Sequence, residues 1–187
     1  MGEKVGIPAD VAAGIELVIL DVDGVMTDGG VYLGASSSGE TYEFKRFEIT
    51  DGLGVQLLQR AGIEVAIVTG RRSEVVAMRA RELGIDELHQ DPQAEKLSIV
   101  QAILDRKGLD WSAVAFLSDD LADVPVLRRV GLPAAVANAV QEVIALARWR
   151  TERSGGRGAV REFAEALLSA RGQWNTAVDE YLQERGG

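Results

Sequence analysis

Short apolar runs alternate with longer segments of helical periodicity along most of this chain. The short runs are aliphatic, which predicts buried strands at 15–20, 64–70, 113–118 and 133–137. The periodic segments predict helices at 51–62, 73–84, 93–107, 121–130, from about Asn138 onward, 159–170 and 173–184. A further short strand is predicted near 148–152. Strands that alternate with helices in this way indicate a parallel sheet with helices on both faces.

The segment 30–47 has a different pattern, because its residues alternate in polarity on either side of a Ser/Gly turn. This pattern predicts a β-hairpin. Ser73 is placed to cap the helix that follows it, and Gly62 and Gly84 are placed to end helices. The predicted fold class is therefore α/β: a Rossmann-like parallel sheet with a small β-hairpin insertion. The length of 187 residues suits one domain, which we expect to span residues 1–187.

Composition narrows the classes of protein to which the chain can belong. Hydrophobic residues make up 47% of the chain, which is typical of a globular protein. The formal net charge of −9 argues against broad nucleic-acid binding, which needs a basic surface. The absence of cysteine excludes disulfides and thiolate zinc sites, and it fits a cytoplasmic location. The sequence shows neither a signal peptide nor an apolar run of about 20 residues, so we expect no membrane partner.

Polar residues follow three of the predicted strands at the point where each ends. Asp21 and Asp23 follow the first strand, Thr69 ends the second, and Asp119 and Asp120 follow the third. The carboxyl ends of parallel strands meet at one edge of a sheet, where such folds bind their ligands. Carboxylates gathered there repel each other unless a cation offsets the cost. Mg²⁺ prefers oxygen ligands, and Asp21, the backbone carbonyl of Asp23 and Asp119 can supply them.

The same residue types can perform phosphoryl transfer. A carboxylate such as that of Asp21 can attack phosphorus as a nucleophile. Asp23 can donate a proton to the leaving oxygen and then accept one from water. Thr69 can donate a hydrogen bond to a phosphoryl oxygen, and Lys96 can neutralise charge between nucleophile and phosphate. As a plainer alternative, aspartates can also be turn formers and helix caps.

The ordered motifs resemble those of the haloacid dehalogenase superfamily. "DVDG" is followed by "TG" at a strand end, then by a lysine, then by "DDLAD" after another strand. This resemblance implies that Asp21 is the nucleophile, that Asp23 is the acid and base, and that Thr69 and Lys96 bind the phosphoryl group. It also implies a metal site for Mg²⁺, with these members: Asp21, Asp23, Asp119 and Asp120. Asp123 matches the last acid of the final motif, and no role is assigned to it. Ser118 stands where relatives often have glycine.

Superfamily members usually carry a cap domain, and this chain has no segment long enough to form one. Over nearly its whole length it is similar to a capless subfamily, the 3-deoxy-D-manno-octulosonate 8-phosphate phosphatases. The segments "DVDGVMTDG", "FKRFEITDGLG", "VAIVTGRR", "SDDLADVPVLRRVGL" and "SGGRGAVRE" carry the resemblance. The resemblance implies a role in lipopolysaccharide biosynthesis and a homotetramer. In the tetramer the hairpin forms the centre and neighbouring subunits help to cover each site.

The resemblance also suggests which residues bind the sugar acid. Gly70 and Arg71 follow the phosphate-binding threonine, and Arg71 can pair with a carboxylate. Arg157, in the glycine-arginine part of the C-terminal segment 153–187, is a second candidate. The plainer alternatives are a surface ion pair for Arg71 and a flexible joint for "SGGRG". Two other functions also stay open: a phosphatase for nine-carbon sialic-acid-type 9-phosphates, and a non-catalytic oligomerisation or binding domain of the same fold.

Overall fold

Six parallel strands form the central sheet of the computed structural model, which describes residues 6–93 and 95–186. The strands in chain order are β1 (Leu17–Leu20), β2 (Tyr32–Ala35), β3 (Thr41–Phe44), β4 (Glu64–Thr69), β5 (Glu87–Gln90), β6 (Val114–Ser118), β7 (Leu132–Ala135) and β8 (Trp149–Arg150). The parallel sheet has the order β5-β4-β1-β6-β7-β8, and β2 and β3 form a separate antiparallel hairpin. The predicted fold class is therefore confirmed.

Helices cover both faces of the sheet. They are α1 (Ala9–Ala13), α2 (Ile49–Arg60), α3 (Glu74–Glu82), α4 (Lys96–Lys107), α5 (Val124–Leu127), α6 (Gln141–Leu146), α7 (Ala159–Ala170) and α8 (Trp174–Gln183). The chain moves in one direction along the sheet from β1 to β4 and in the other from β6 to β7. Right-handed crossovers therefore place α2 and α5 on opposite faces. Helices α1, α2, α7 and α8 contact each other as one layer, while α4, α5 and α6 form the other.

Most predicted elements are present with shifted ends, but three details differ. Helix α1 and strand β5 were not predicted. Strand β5 has the polar sequence "ELHQ" and lies half-buried at the edge of the sheet, so it lacks the apolar run that marks the central strands. The helix predicted near 121–130 is divided and shorter, because a 3-10 helix at Leu121–Asp123 precedes the single α-helical turn α5, which ends at Leu127. Ser73 does cap α3, since its Oγ accepts a hydrogen bond from the backbone N–H of Val76 at 3.3 Å.

The core fills both spaces between the sheet and its helices. The strands β1, β6 and β7 are buried along their full length, as expected for the centre of a parallel sheet. Helix α7 buries a stripe at helical spacing that consists of Val160, Phe163, Ala164, Leu167 and Leu168. No helix among the described residues is long and apolar enough to cross a membrane.

Asp51 links helix α2 to the amino end of helix α7. Gly158 precedes α7 and has no side chain with which to cap it. Instead, Asp51 Oδ1 accepts a hydrogen bond from the backbone N–H of Arg161 at 2.8 Å. Burial raises the pKa of Asp51 from its ordinary 3.8 to about 6, although hydrogen bonds from the backbone of α7 oppose that rise. The fold thus places a carboxyl group where its ionised form is costly.

We expect Asp51→Asn to change how stability depends on pH. Because the folded-state pKa of Asp51 lies above the unfolded value, wild type loses stability as the pH rises from about 4 to 7. Asparagine keeps the accepting oxygen but does not titrate. The shift corresponds to about 3 kcal/mol. Denaturant unfolding should show the variant gaining up to that free energy relative to wild type over this pH range. An equal pH dependence in both proteins would contradict the role of Asp51.

Candidate active site

Three carboxylates from neighbouring strand ends form one cluster. Asp21 follows β1, while Asp119 and Asp123 follow β6, which is the neighbour of β1 in the sheet. Each offers an oxygen, and these oxygens all lie within 4.8 Å of one another. Because β1 and β6 are parallel, their carboxyl ends meet at the same edge. The prediction that the strand ends bring acids together is therefore confirmed for Asp21 and Asp119, and Asp123 joins them.

Lys96 provides the counter-charge for this cluster. It is the first residue of α4, and only 3% of its side chain is exposed. Its Nζ lies 2.7 Å from Asp21 Oδ1 and 2.5 Å from Asp123 Oδ1. Burial alone would lower the pKa of Lys96, but the charges of Asp21 and Asp123 outweigh it and raise the pKa. Lys96 is therefore a protonated cation that bridges two of the three carboxylates.

The negative charge of Asp119 is offset by fewer contacts than the charges of Asp21 and Asp123. Burial, followed by repulsion from Asp21 and Asp123, raises its pKa from 3.8 to about 7. Its Oδ1 is buried and has no hydrogen-bond partner within the part of the chain that the structure describes. A bound divalent cation would pair with this oxygen and offset the repulsion, and oxygen ligands suit a hard cation such as Mg²⁺. The residues present therefore fit a metal at this position.

Ser118 supports the cluster through a hydrogen bond to Asp123. Ser118 Oγ donates a hydrogen bond to Asp123 Oδ2 at 2.7 Å, and both residues are buried. The serine that departs from the usual glycine therefore has a partner. Burial and repulsion from Asp21 raise the pKa of Asp123, while Lys96 and Ser118 lower it. Asp120 lies outside the cluster and is exposed; its carboxylate accepts a hydrogen bond from the backbone N–H of Leu121. Its predicted role in metal binding stays a prediction.

The surroundings of Gly24 explain why the motif "DVDG" ends in glycine. Its φ angle is +92°, in a region that favours glycine. A Cβ atom at this position would lie 1.9 Å from Asp119 Oδ2. The absence of a side chain therefore lets the loop after β1 pass directly beside the carboxylate cluster.

The hairpin contributes to the other side of the site. Lys45 follows β3, and its ammonium forms an ion pair with Asp23 Oδ1. Glu43, two residues earlier on the same face, accepts a hydrogen bond from Ser73 Oγ at 2.5 Å. Arg71 Nη2 donates to Glu43 Oε1 at 3.3 Å, and Arg71 Nε lies 3.8 Å from Asp23 Oδ2. Sequence reasoning missed Glu43 and Lys45, although both are polar positions that alternate with the aromatic Tyr42 and Phe44 along the hairpin.

The remaining predicted residues lie around this centre. Thr69 is buried at the end of β4, and Gly70 follows it half-buried. Arg71 is half exposed, and its ion pairs do not decide between substrate contact and a surface role. Arg157 is exposed and lies 3.8 Å from Asp28. Asp23 binds Lys45 through its side chain, and its predicted metal contact through the backbone carbonyl stays a prediction.

The segment "SGGRG" is not a loose joint. A Cβ atom at Gly155 would lie 1.8 Å from the carbonyl oxygen of Gly24. Asn138 links the two backbones, because its Nδ2 donates to the Gly24 carbonyl at 3.1 Å and its Oδ1 accepts from the N–H of Gly155 at 2.7 Å. Gly156 donates its N–H to the carbonyl of Val25 at 3.0 Å. The glycines therefore allow the segment to pack directly against the loop that carries Asp23.

Comparison with known proteins agrees with this geometry. A family model for haloacid dehalogenase-like hydrolases matches residues 53–131. The 3-deoxy-D-manno-octulosonate 8-phosphate phosphatase of Escherichia coli strain K12 is 43% identical over 179 residues, which cover 94% of this chain and 93% of the relative. The chain belongs to this family of octulosonate phosphatases.

Solved octulosonate phosphatases share the fold. The enzyme from Moraxella catarrhalis, in complex with a magnesium ion, a phosphate ion and a KDO molecule, has a TM-score of 0.85 at 36% identity and covers 92% of this chain and 97% of its own. The cobalt-bound enzyme from Haemophilus influenzae has a TM-score of 0.79 at 34% identity, with 88% and 93% covered. The resemblance read from the motifs is confirmed.

We expect Gly24→Ala to disable the site while leaving the core intact. The added Cβ would displace the Asp119 carboxylate, and alanine would be strained at the positive φ angle of this position. A displacement of about 1 Å can cost on the order of 100-fold in rate, so kcat/KM should fall by at least that factor. Gly14→Ala is the matched control, because Gly14 has a negative φ angle and only an ordinary contact with Val11. Steady-state kinetics should show no loss in the control, and near wild-type activity of Gly24→Ala would contradict the geometry.

Proposed function

We propose that the chain is a Mg²⁺-dependent phosphatase that hydrolyses a sugar-acid phosphate, 3-deoxy-D-manno-octulosonate 8-phosphate, through an aspartyl-phosphate. The observation that carries this proposal is the cluster of Asp21, Asp119 and Asp123 around Lys96 in a member of the octulosonate phosphatase family. A cytoplasmic location and a single domain over residues 1–187 are part of the same proposal.

The two aspartates after β1 have separate tasks in this mechanism. Asp21 attacks phosphorus, while its Oδ1 stays paired with Lys96 at 2.7 Å. Asp23 gives a proton to the leaving oxygen of the sugar and later takes one from the water that hydrolyses the aspartyl-phosphate. Thr69 is placed at the end of β4 to bind a phosphoryl oxygen. Lys96 stabilises the charge that collects between Asp21 and the phosphate.

The proposed metal ligands are Asp21 and Asp119, together with Asp123 from the same cluster. Bound Mg²⁺ would supply charge neutralisation for the phosphoryl oxygens. The protein holds the three carboxylates in place with Lys96, Ser118 and the close approach of Gly24. The proposal also includes two roles that the resemblance implies. The backbone carbonyl of Asp23 is a further metal ligand, and Asp120 supports the ligands from outside the cluster.

Arg71 is the residue on which the choice of sugar acid rests. It lies at the rim of the site, where Glu43 and Asp23 hold it by ion pairs, and half of its side chain is exposed. An arginine can exchange such contacts for a substrate carboxylate. A nine-carbon sugar-acid 9-phosphate is the second candidate substrate. A purely binding role is less well supported, since it would not need Asp21 and Asp23 in one pocket.

We also propose a homo-oligomer, and expect a tetramer formed through the hairpin. The outer face of the hairpin exposes large apolar side chains, with 62% of Tyr32 and 62% of its cross-strand partner Phe44 accessible. Such a patch on a two-stranded hairpin is typical of an interface. Glu43 and Lys45 on the inner face reach the site, so another subunit docked on the hairpin would lie close to the substrate entrance.

Turnover of a panel of sugar phosphates tests the proposed function. The protein should hydrolyse the octulosonate 8-phosphate in Mg²⁺, and chelation should remove this activity reversibly. Calcium should substitute poorly, because its larger and looser coordination shell would misplace the phosphate. Asp21→Asn should stay folded and lose all turnover, because the amide keeps the shape of the side chain but is not a nucleophile. Full activity in excess chelator, or near wild-type activity of the variant, would refute the mechanism.

Arg71→Ala should mainly reduce activity on the sugar-acid phosphate. Loss of one charge-assisted contact should cost about 1.5–3 kcal/mol, which lowers kcat/KM roughly ten- to a hundredfold. Activity on p-nitrophenyl phosphate, which has no sugar acid, should be spared. Equal losses on both substrates would place Arg71 in the phosphate site or in the scaffold instead.

The assembly can be tested at the hairpin. Tyr32→Glu combined with Phe44→Glu should dissociate the oligomer, because the charges would be buried in the interface. Leu182→Glu is the matched control, since Leu182 is an exposed apolar residue on α8. Light scattering should show a smaller mass for the hairpin variant alone. A stable active wild-type monomer at micromolar concentration would refute the proposed assembly.

A further inference from the structure

Lys45 is a buried lysine that the mechanism above does not use. None of its side chain is exposed, although it follows a hairpin whose outer face is open to solvent. Lysine is almost never fully buried unless it is paired, because desolvation of its charge is costly. Its ammonium contacts Asp23 Oδ1 and lies 4.0 Å from Glu43 Oε1. The fold therefore buries this cation against the side chain of the proposed acid and base.

The contact makes the two oxygens of Asp23 unequal. Oδ1 is held by Lys45. Oδ2 is buried and has no hydrogen-bond partner among residues 6–93 and 95–186. The guanidinium of Arg71 approaches Oδ2 only to 3.8 Å, which is beyond hydrogen-bond range. Lys45 thus holds one oxygen of Asp23, and the other oxygen has no comparable contact.

We propose that Lys45 is a positioning residue for acid and base catalysis, which holds Asp23 by Oδ1 so that Oδ2 faces the leaving oxygen. The proposal rests on the phosphatase function proposed above. As the bond from Asp21 to phosphorus forms, the bond from phosphorus to the sugar oxygen breaks, and the proton on Asp23 Oδ2 moves to that oxygen. When water then attacks phosphorus, Asp23 Oδ2 takes one of its protons, the bond from Asp21 to phosphorus breaks, and inorganic phosphate leaves while the Asp21 carboxylate is regenerated.

Leaving-group dependence distinguishes this role from others. An alkyl phosphate has a poor leaving group that needs the proton, whereas p-nitrophenolate leaves without one. The constant kcat/KM reports the steps up to release of the first leaving group, so it isolates the transfer that Asp23 assists. Three substrates separate the possibilities: the octulosonate 8-phosphate, glycerol 1-phosphate, which lacks a carboxylate, and p-nitrophenyl phosphate.

The variant Lys45→Met keeps the length of the side chain and removes its charge. We expect kcat/KM to fall about 100-fold on both alkyl phosphates, in line with the cost of a misplaced catalytic group, and less than about threefold on p-nitrophenyl phosphate. Lys45→Arg, which retains the cation, should restore part of the loss on the alkyl substrates. Lys107→Met is the matched control, because Lys107 forms its ion pair with Glu64 at the opposite end of β4. It should leave all three constants unchanged.

Other outcomes would overturn the proposal. A loss on the octulosonate substrate alone would make Lys45 a sugar-binding residue, and equal losses on all three would make it structural or phosphate-binding. Thermal unfolding and Mg²⁺ affinity of Lys45→Met should match those of wild type, and a lower melting temperature together with equal losses would also count against it. A wild-type protein without phosphatase activity would refute the proposed function and with it the role of Lys45. An active wild type with no leaving-group dependence in the variant would refute the role of Lys45 alone.

Discussion

Repulsion among carboxylates at one edge of the sheet is the constraint on which the site depends. Asp21, Asp119 and Asp123 have oxygens within 4.8 Å of one another in a largely buried place. The buried Lys96 offsets part of that charge. Three carboxylates against one ammonium leave an excess of negative charge, and burial together with this repulsion raises the pKa of Asp119. A divalent cation would remove the excess, and its charge would then be available to a phosphate.

The surrounding fold maintains this arrangement at several points. Gly24 lets the loop after β1 pass beside Asp119, and Gly155 lets the glycine-arginine segment pack on that loop. Asn138 bridges the two backbones. The hairpin then reaches the same loop from the other side through Lys45. The segment that carries Asp23 is therefore held from two directions, which suits the proposed role of Asp23 in proton transfer to the substrate.

The sequence predicted the strand ends well because their signal is local. Each central strand is an apolar run, and the residues after it are visible directly in the chain. Asp123 was harder to place, since its partnership with Lys96 joins residues far apart in sequence and depends on where α4 begins. Lys45 was missed for the same reason: its contact with Asp23 exists only once the hairpin folds back over the sheet edge. Strand β5 was missed because edge pairing stabilises a sequence with no apolar run.

The glycine-arginine segment shows a further limit of sequence reading. Several glycines close together in the sequence are compatible with a flexible joint and also with close approach of two backbones. Only the position of Gly155 directly against Gly24 in the structure shows that these glycines allow close approach of two backbones. The exposed face of the hairpin poses a similar question, because its apolar side chains gain a partner only in an assembly. In the proposed assembly, the oligomer interface and the substrate entrance would meet at this hairpin, and substrate specificity would then depend on assembly.

Calorimetric titration of Mg²⁺ into the metal-free protein tests the central claim that the carboxylate cluster holds a cation. Wild type should bind Mg²⁺ at one site. Asp119→Ala should weaken that binding by at least about tenfold, because it removes an oxygen ligand. Loss of a hydrogen-bond partner of a metal ligand already lowers metal affinity by about tenfold or more. Asp120→Ala should have a smaller effect, because its carboxylate caps a turn outside the cluster. Unchanged Mg²⁺ affinity in Asp119→Ala would contradict the account.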